Sequence, residues 1–310
     1  MPKGDALDLT DRKLEEMERH LKKIYSRAEK EIGEAWKQYM VEADSKVADL
    51  TKAYIEAKKS GDKEAIREAG KRLAGAKQER TIYNNHYQTL TRQTAESISH
   101  VNEIATAYIN RQLPEIYSLN YNEVARRVNR QLDGRMGGYS FELTDAHTVR
   151  RLATTQENLL PYKTVNGKRD VRWNVAKINS EVTQGILQGE SMPKIATRLS
   201  DVLGMDATAA LRNARTSVTS AQNKGRMDMM EEAREKGVIV KKGWSAIDQP
   251  GRTREWHLAL DNGEFIDIDK PFHNEVGDIM YPGDPNADPA NVYNCRCALI
   301  YKVVGFERRR

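Results

Sequence analysis

Apolar residues recur three and four positions apart through the first part of the chain. This spacing is typical of a stripe along one face of a helix. The stripe consists of Leu14, Met17, Leu21, Ile24, Ala28, Ile32, Trp36, Tyr39, Val47, Leu50 and Tyr54. Because no proline interrupts it, we expect one helix of roughly fifty residues, about 70 Å long. Thr10 is its predicted N-cap, and Asp11 suits the positive end of the helix.

A second stripe follows a break at Ser60-Gly61-Asp62, which also supplies a capping residue for the next helix. Its positions are Ile66, Leu73, Tyr83, Tyr87, Leu90, Thr94, Val101 and Tyr108. Pro114 is expected to end or kink this helix. The two stripes predict either an antiparallel hairpin or one half of a bundle that later helices complete.

The middle of the chain also has helical spacing. Trp173, Ile178, Val182, Ile186 and Leu187 predict a helix that stops at Gly189. Ser191 is then expected to cap a short helix with Pro193 in its first turn. A further helix is predicted to begin at Asp206 and to end at Gly237.

The pattern changes after Gly237 to short runs of β-forming residues. Val238-Ile239-Val240 and Phe265-Ile266-Asp267-Ile268 predict strands, with Asp261-Asn262-Gly263 as a turn between strands. The predicted fold class is therefore α+β and predominantly α. The predicted regions are a long-helix arm or bundle (1–138), a helical region (139–237), a small α+β module (238–305) and a basic tail (306–310).

Composition supports a helical protein, since 31% of residues are charged and only 7% are aromatic. The net charge of +5 is spread along the chain, which argues against a dedicated DNA-binding arm. Arg308-Arg309-Arg310 is a concentrated basic cluster that could contact phosphate, although a solvated tail is the simpler interpretation. No apolar run predicts a membrane span or a signal peptide, so we expect synthesis in the cytoplasm and no membrane partner.

Four side chains near the C-terminus predict a candidate metal site: His257, His273, Cys295 and Cys297. Four such ligands are the number that a structural zinc ion uses. The one-residue spacing of the cysteines is poorly suited to a disulfide. The alternative is that both cysteines pack as small apolar residues beside hydrogen-bonded histidines. The sequence leaves the two interpretations open.

Arg215 and Thr216 lie on a helix that we expect to pack against the β module. A guanidinium in such an interface needs several acceptors, so Arg215 should have a buried acidic or carbonyl partner. Asp248 is a candidate for that partner.

A metal-dependent nuclease is the enzymatic alternative, because Asp248, Asp261, Asp267, Asp269 and His257 could gather around a divalent ion. The segment Asp267-Ile268-Asp269-Lys270 lacks the acid-X-lysine step of a common nuclease core, and acidic residues in turns are normally solvated caps. The sequence also lacks a nucleophile elbow, a phosphate-binding loop and a His-Glu-X-X-His motif. We therefore expect a structural protein.

A series of short motifs resembles the phage Mu F-like, or phage head morphogenesis, family of minor head proteins over about residues 185–300. The helical part contains Gly185-Ile186-Leu187-Gln188-Gly189-Glu190-Ser191, Ile195-Ala196-Thr197-Arg198-Leu199, Ala214-Arg215-Thr216 and Ala221-Gln222-Asn223-Lys224-Gly225-Arg226. The β part contains Lys242-Gly243-Trp244, Asp248, Arg252-Thr253-Arg254, His257, Leu260-Asp261-Asn262-Gly263, Phe265 and Asn294-Cys295-Arg296-Cys297. Tyr293 departs from the His-Pro that frequently precedes the cysteine pair. The resemblance does not extend to the first 150 residues.

The resemblance implies a minor capsid protein that acts in head assembly, DNA packaging or ejection. Portal protein is the implied partner, with major capsid protein, scaffold protein and packaged DNA as further candidates. The implied location is the procapsid or virion, at or near the portal vertex, after assembly in the host cytoplasm. No cofactor is required, although relatives often carry such Cys and His residues, which favours a structural zinc ion. A DNA-binding internal virion protein is the remaining alternative.

An ADP-ribosyltransferase, an activity fused to some relatives, would need a late Glu-X-Glu pair, and none occurs after residue 140.

Overall fold

The computed structural model describes residues 5–79, 85–132, 140–188, 190, 192–247 and 253–307. The predictions made for Asp248, Ser191, Gly189 and the cluster Arg308-Arg309-Arg310 therefore lie outside the described residues. Eight helices occur in these ranges: α1 (Asp5–Ser60), α2 (Lys63–Glu79), α3 (Asn85–Leu132), α4 (Ala146–Leu152), α5 (Gly167–Leu187), α6 (Met192–Glu235), α7 (Glu255–Leu260) and α8 (Pro289–Val292). None of them is both long and apolar enough to cross a membrane. The predicted fold class, α+β and predominantly α, is confirmed.

Helix α1 confirms the predicted long helix but begins before Thr10. The Thr10 hydroxyl donates a hydrogen bond to the Ala6 carbonyl oxygen at 2.8 Å, one turn earlier within the helix. The prediction that Thr10 is the N-cap of this helix was therefore wrong. Ala6 and Leu7 are buried, so the apolar stripe continues toward the N-terminus and extends the helix.

The predicted break at Ser60-Gly61-Asp62 is confirmed. Gly61 has a φ of +74°, in the left-handed region that glycine adopts without a steric penalty. The Asp62 carboxylate accepts hydrogen bonds from the backbone N–H groups of Glu64 and Ala65, at 2.9 and 3.2 Å. Asp62 therefore caps α2. The described positions of the second stripe lie on α2 and α3, and Tyr83 lies outside the described residues.

The predicted helix start at Asp206 is wrong, and of the two alternatives for Pro114, a helix end or a kink, the end is excluded. Pro114 lies inside α3, and α6 continues through Gly204 and Asp206. Leu113 and Ile116 are fully buried beside the proline, and Val202 and Leu203 are buried beside the glycine. The burial of these apolar side chains outweighs the modest cost of an unfavourable helix residue.

The residues cluster into two compact units. Unit 1 consists of Met1–His20, Thr106–Lys163 and Ala209–Arg310, and unit 2 of Leu21–Ala105 and Thr164–Thr208. Each unit combines segments that are distant in sequence, whereas the four predicted regions follow chain order.

Unit 2 has a core of aliphatic and aromatic side chains from α1, α3, α5 and α6. Trp36 is fully buried, and its ring packs edge-on against Tyr87 with 5.7 Å between centroids. The Trp36 indole N–H donates a hydrogen bond to the Thr94 hydroxyl oxygen at 2.9 Å. The buried indole N–H thus has a hydrogen-bond acceptor inside the core.

Unit 1 contains the β structure. Strand β1 (Val238–Ser245) lies at the centre of an antiparallel sheet in the order β2 (Ile266–Asp267), β1, β5 (Ala298–Phe306). Strands β3 (Phe272–Asn274) and β4 (Gly277–Ile279) form a separate hairpin. Helix α7 lies between β1 and β2 in the chain, so the turn Asp261-Asn262-Gly263 follows a helix and does not join two strands directly as predicted.

Candidate metal centre

Cys295 and Cys297 lie immediately before β5 and are both buried. Side chains of α6 hold the main chain at this point. The Thr219 hydroxyl donates to the Cys295 carbonyl oxygen at 2.6 Å, and the Asn223 amide donates to the Cys297 carbonyl oxygen at 3.1 Å. The Leu299 N–H in turn donates to the Asn223 side-chain oxygen at 2.8 Å. These bonds satisfy main-chain groups that a buried strand start would otherwise leave unpaired.

His257, on α7, brings its ring to the two cysteines. Its Nδ1 atom lies 3.7 Å from the Cys295 Sγ and 3.6 Å from the Cys297 Sγ. One ligand atom of each residue lies within 4.8 Å of the other two. The ring is buried against Trp244, with 5.1 Å between ring centroids. Three of the four predicted ligands are therefore together.

His273 lies elsewhere, on strand β3. Its side chain is 72% exposed, and its Nδ1 is 2.5 Å from an Asp278 carboxylate oxygen across the β3–β4 hairpin. Within the part of the chain that the structure describes, the ligand group consists of His257, Cys295 and Cys297. His273 has a side chain that can bind a metal ion, but the register of the β3–β4 hairpin places it beside Asp278 at an exposed position.

The two cysteine side chains shift each other's pKa. The hydrogen bond from the Cys297 thiol holds the pKa of Cys295 well below its usual range, with His257 adding to this effect against the opposing effect of burial. The same hydrogen bond, together with burial, raises the pKa of Cys297. The two pKa values are therefore shifted in opposite directions.

A cavity of about 320 Å³ opens over the three side chains. Its wall includes Arg215, Arg254 and Arg296. Arg254 donates to the Tyr293 carbonyl oxygen at 2.5 Å, and Arg296 lies 3.5 Å from a Glu18 carboxylate oxygen. The cavity wall is thus rich in positive charge.

Arg215 has the acidic partner that we predicted for it, but the partner is Glu18 of α1. The Arg215 Nε donates to a Glu18 carboxylate oxygen at 2.5 Å, and its Nη1 donates to the Asn294 side-chain oxygen at 3.3 Å. Both side chains of the ion pair are partly exposed. The suggested partner Asp248 lies outside the described residues. Nothing in local spacing indicates Glu18, because it is 197 positions away in the chain.

The other two residues predicted to be structural also contact this region. The Thr216 hydroxyl accepts a hydrogen bond from the Asn294 N–H at 2.9 Å. Trp244, on β1, is buried and packs edge-on against Phe272. The Thr216 contact joins α6 to the segment that carries the cysteines, and the Trp244 contact joins β1 to β3.

The aspartates considered for a nuclease have separate partners. Asp261 accepts a hydrogen bond from the Ala246 N–H, and Asp267 pairs with Lys241 and Lys270. Asp269 lies 3.8 Å from Arg234. Lysine and arginine pairs of this kind favour a structural role for these carboxylates.

Sequence reasoning missed the buried Arg226 of α6. Its guanidinium donates to the Asn120 side-chain oxygen at 3.0 Å, to the Leu299 carbonyl oxygen at 3.2 Å and to the Glu123 carboxylate. Burial lowers the pKa of Arg226, and the Glu123 charge opposes this effect. The only sequence signal was its position in the motif that ends Asn223-Lys224-Gly225-Arg226.

Comparison with known proteins confirms the resemblance stated from the sequence. Residues 176–300 match the model of a family described as Phage Mu protein F like protein. The chain is also 28% identical over 295 residues to Minor head protein GP7 of Bacillus phage SPP1. That alignment covers 94% of this chain and 87% of GP7 and so reaches into the first 150 residues, whereas the family model matches only from residue 176 onward, as expected.

A second relative is an enzyme. The chain is 33% identical over 133 residues to NAD(+)--arginine ADP-ribosyltransferase EFV of Enterococcus faecalis (strain ATCC 700802 / V583). The alignment covers 41% of this chain but only 26% of that protein. No solved structure matches the chain.

Proposed function

From the match of residues 176–300 to the Phage Mu protein F like family, we propose that this chain is a minor structural protein of a phage head, present in the procapsid or virion. It acts in head assembly, DNA packaging or ejection. The observation that carries the proposal is the alignment with a minor head protein over 94% of this chain and 87% of that relative. An alignment of this extent indicates a shared arrangement of the whole chain, whereas the enzyme relative shares one segment.

We propose a structural rather than an enzymatic role. The described aspartates among the nuclease candidates, Asp261, Asp267 and Asp269, are engaged in ion pairs or a backbone hydrogen bond.

The proposed partner is the portal protein, and the proposed location is the portal vertex. Helix α1 supports this proposal because it presents two large apolar side chains among charged ones, Val41 at 59% and Ile55 at 48% exposure. Helices that bind a partner commonly do so through apolar anchor residues on one face, so these two positions are where the proposed contact is tested. Major capsid protein, scaffold protein and packaged DNA are further candidates.

Co-expression of the chain with the portal protein of the same phage tests this partner. We expect one complex in size-exclusion chromatography with light scattering, and we expect the double variant Val41→Glu/Ile55→Glu to lose it. Val304→Glu is the matched control, since Val304 is similarly exposed at 47% but lies on β5. The portal proposal is wrong if the unmodified chain forms no complex. The assignment of α1 as the binding surface is wrong if the double variant binds as the control does.

A further inference from the structure

We propose that His257, Cys295 and Cys297 bind one zinc ion whose fourth coordination position opens into the arginine-lined cavity and takes an anionic ligand. This inference goes beyond the role in the phage head and does not depend on it. It rests on the spacing of the three ligand atoms, on the orientation of the histidine ring, and on the charge and space above the site.

The spacing of the ligand atoms is that of a tetrahedral zinc site. With Zn–S near 2.3 Å and Zn–N near 2.0 Å, tetrahedral angles place a sulfur and a nitrogen ligand roughly 3.5 Å apart. The two observed separations from Nδ1 are 3.7 and 3.6 Å. Both sulfurs and the nitrogen can therefore reach one ion with little movement. Two thiolates and one imidazole also favour zinc over magnesium or calcium, which prefer oxygen ligands.

The orientation of the His257 ring leaves Nδ1 available to bind a metal ion. Its Nε2 lies 3.4 Å from the Asn291 side-chain oxygen, and this acceptor places the ring proton on Nε2. The Nδ1 lone pair then faces the sulfurs, as a metal ligand requires. Asn291 is buried and exchanges two hydrogen bonds with the Asn274 side chain, at 3.1 and 3.3 Å. A second layer of side chains thus fixes the ring.

The cysteine segment is held in place by hydrogen bonds that do not depend on an ion. Thr219 and Asn223 hold the carbonyl groups of both cysteines. The Cys297 N–H donates to the Cys295 Sγ at 3.4 Å, an interaction that favours a negatively charged sulfur. The site is therefore organised before the ion arrives, which lowers the ordering cost of binding.

The fourth position has space and positive charge above it. In the described ranges, no further His, Cys, Asp or Glu side chain joins the group of three. The cavity of about 320 Å³ exceeds the volume of several waters, since each occupies about 30 Å³ in the liquid. Arg215, Arg254 and Arg296 face it, and Glu18 offsets part of their charge. Three protein ligands with an open position accept an exchangeable fourth ligand, and these arginines select an anion.

The first experiment measures the zinc content of the purified full chain after zinc loading and dialysis, by plasma mass spectrometry. We expect about one zinc per chain, as in other three-ligand sites, and a loss of most of it in Cys297→Ser and in His257→Ala. His273→Ala is the matched control and should retain the ion. A wild-type chain without zinc overturns the proposal, and so does full retention in Cys297→Ser.

Cobalt replacement covers the case in which a ligand variant fails to fold. Wild-type chain loaded with Co²⁺ should show an intense thiolate-to-metal charge-transfer band together with the visible bands of a tetrahedral ion. This measurement uses only the unmodified chain. A cobalt spectrum without a thiolate band overturns the ligand assignment.

Azide titration of the cobalt form tests the open position. We expect the visible bands to shift with a saturable dependence on azide, and Arg254→Gln to weaken azide binding by about tenfold through loss of one nearby charge. Arg127→Gln, an exposed arginine of α3 away from the cavity wall, is the control and should bind azide normally. A spectrum that azide leaves unchanged shows a closed coordination shell and overturns this part of the proposal.

Discussion

The two units bury different kinds of side chain. Unit 2 packs aliphatic and aromatic residues such as Trp36, Ile98 and Ile178, which come from helix faces with regular spacing. Unit 1 also buries Arg226 and Asn223, both on α6. Regular apolar spacing therefore accounts for most of the core of unit 2, which also buries Thr94 and Asn174, while unit 1 buries a guanidinium and depends on polar contacts between residues far apart in sequence.

The difference follows from what each unit must satisfy. Helices bond their own backbone groups internally, so a helical core needs only apolar faces. Around the start of β5, main-chain groups of Cys297 and Leu299 are buried against α6, whose backbone is already bonded. Asn223 and Arg226 supply the missing partners. We expect polar substitutions in unit 1 to cost more than comparable ones in unit 2.

The largest expected effect is that of Arg226→Ala. It removes the bonds to Asn120 and Leu299 and leaves the Glu123 carboxylate without its buried partner. Breaking a buried ion pair on one side costs about 3–5 kcal/mol of unfolding free energy. Urea denaturation would measure it.

Arg127→Ala is the control for this substitution, because Arg127 contacts the same carboxylate at 2.9 Å from a 43% exposed position. An exposed pair of this kind is worth about 0–1 kcal/mol. Equal losses in the two variants would contradict the importance of the buried network.

Asn223→Ala should have the next largest effect. The variant leaves the Leu299 N–H and the carbonyl oxygens of Pro282 and Cys297 without their side-chain partner. We expect a loss of about 2–3 kcal/mol from unsatisfied buried groups. Hydrogen exchange should show faster exchange of the Leu299 amide, and unchanged protection there would count against the proposed contact.

Thr94→Val tests a polar contact in unit 2. The substitution preserves side-chain volume but removes the acceptor of the Trp36 indole N–H. We expect a loss of about 1.5 kcal/mol, within the range for one unsatisfied neutral donor. Thr208→Val is the control, since the exposed Thr208 hydroxyl bonds only within its own helix, to the Gly204 carbonyl oxygen. A loss as large as that of Arg226→Ala would remove the contrast between the units.

Asp206→Asn should stabilise unit 2 and has the smallest expected effect. Burial, reinforced by the charge of Asp170, raises the pKa of Asp206 to about 6. Because the folded-state pKa of Asp206 exceeds its unfolded-state pKa, the contribution of this residue to folding stability is most favourable below about pH 4 and is lost as pH rises through about 6. We expect the variant to gain about 1 kcal/mol at pH 7, after allowance for partial solvation, and almost nothing at pH 4. Thermal denaturation at both pH values measures this gain, and an equal gain at both would contradict the assigned charge effect.

The sequence predicted what local periodicity and glycine chemistry control. The long α1 helix, the break at Gly61 and the strand at Val238 follow from spacing and turn residues. The predicted helix start at Asp206 and a helix end at Pro114 are both excluded, because burial of neighbouring apolar residues overrides an intrinsic preference. These errors concern helix continuity, which depends on packing that a single sequence does not display.

The candidate site was predicted in part for a similar reason. The Cys-X-Cys spacing and one histidine indicated the right chemistry, and His257 does meet both cysteines. His273 could not be separated from His257 without the register of the β3–β4 hairpin, which pairs it with Asp278. Glu18 could not be matched to Arg215, because that contact depends on tertiary folding alone.

Quantitative mass spectrometry of purified procapsids and mature particles from the producing phage tests the proposed head role most directly. The measurement counts this chain against the portal protein of the same particles. A fixed, low ratio to portal in either particle is the predicted result. Absence of the chain from both particles would contradict a role as a structural head protein.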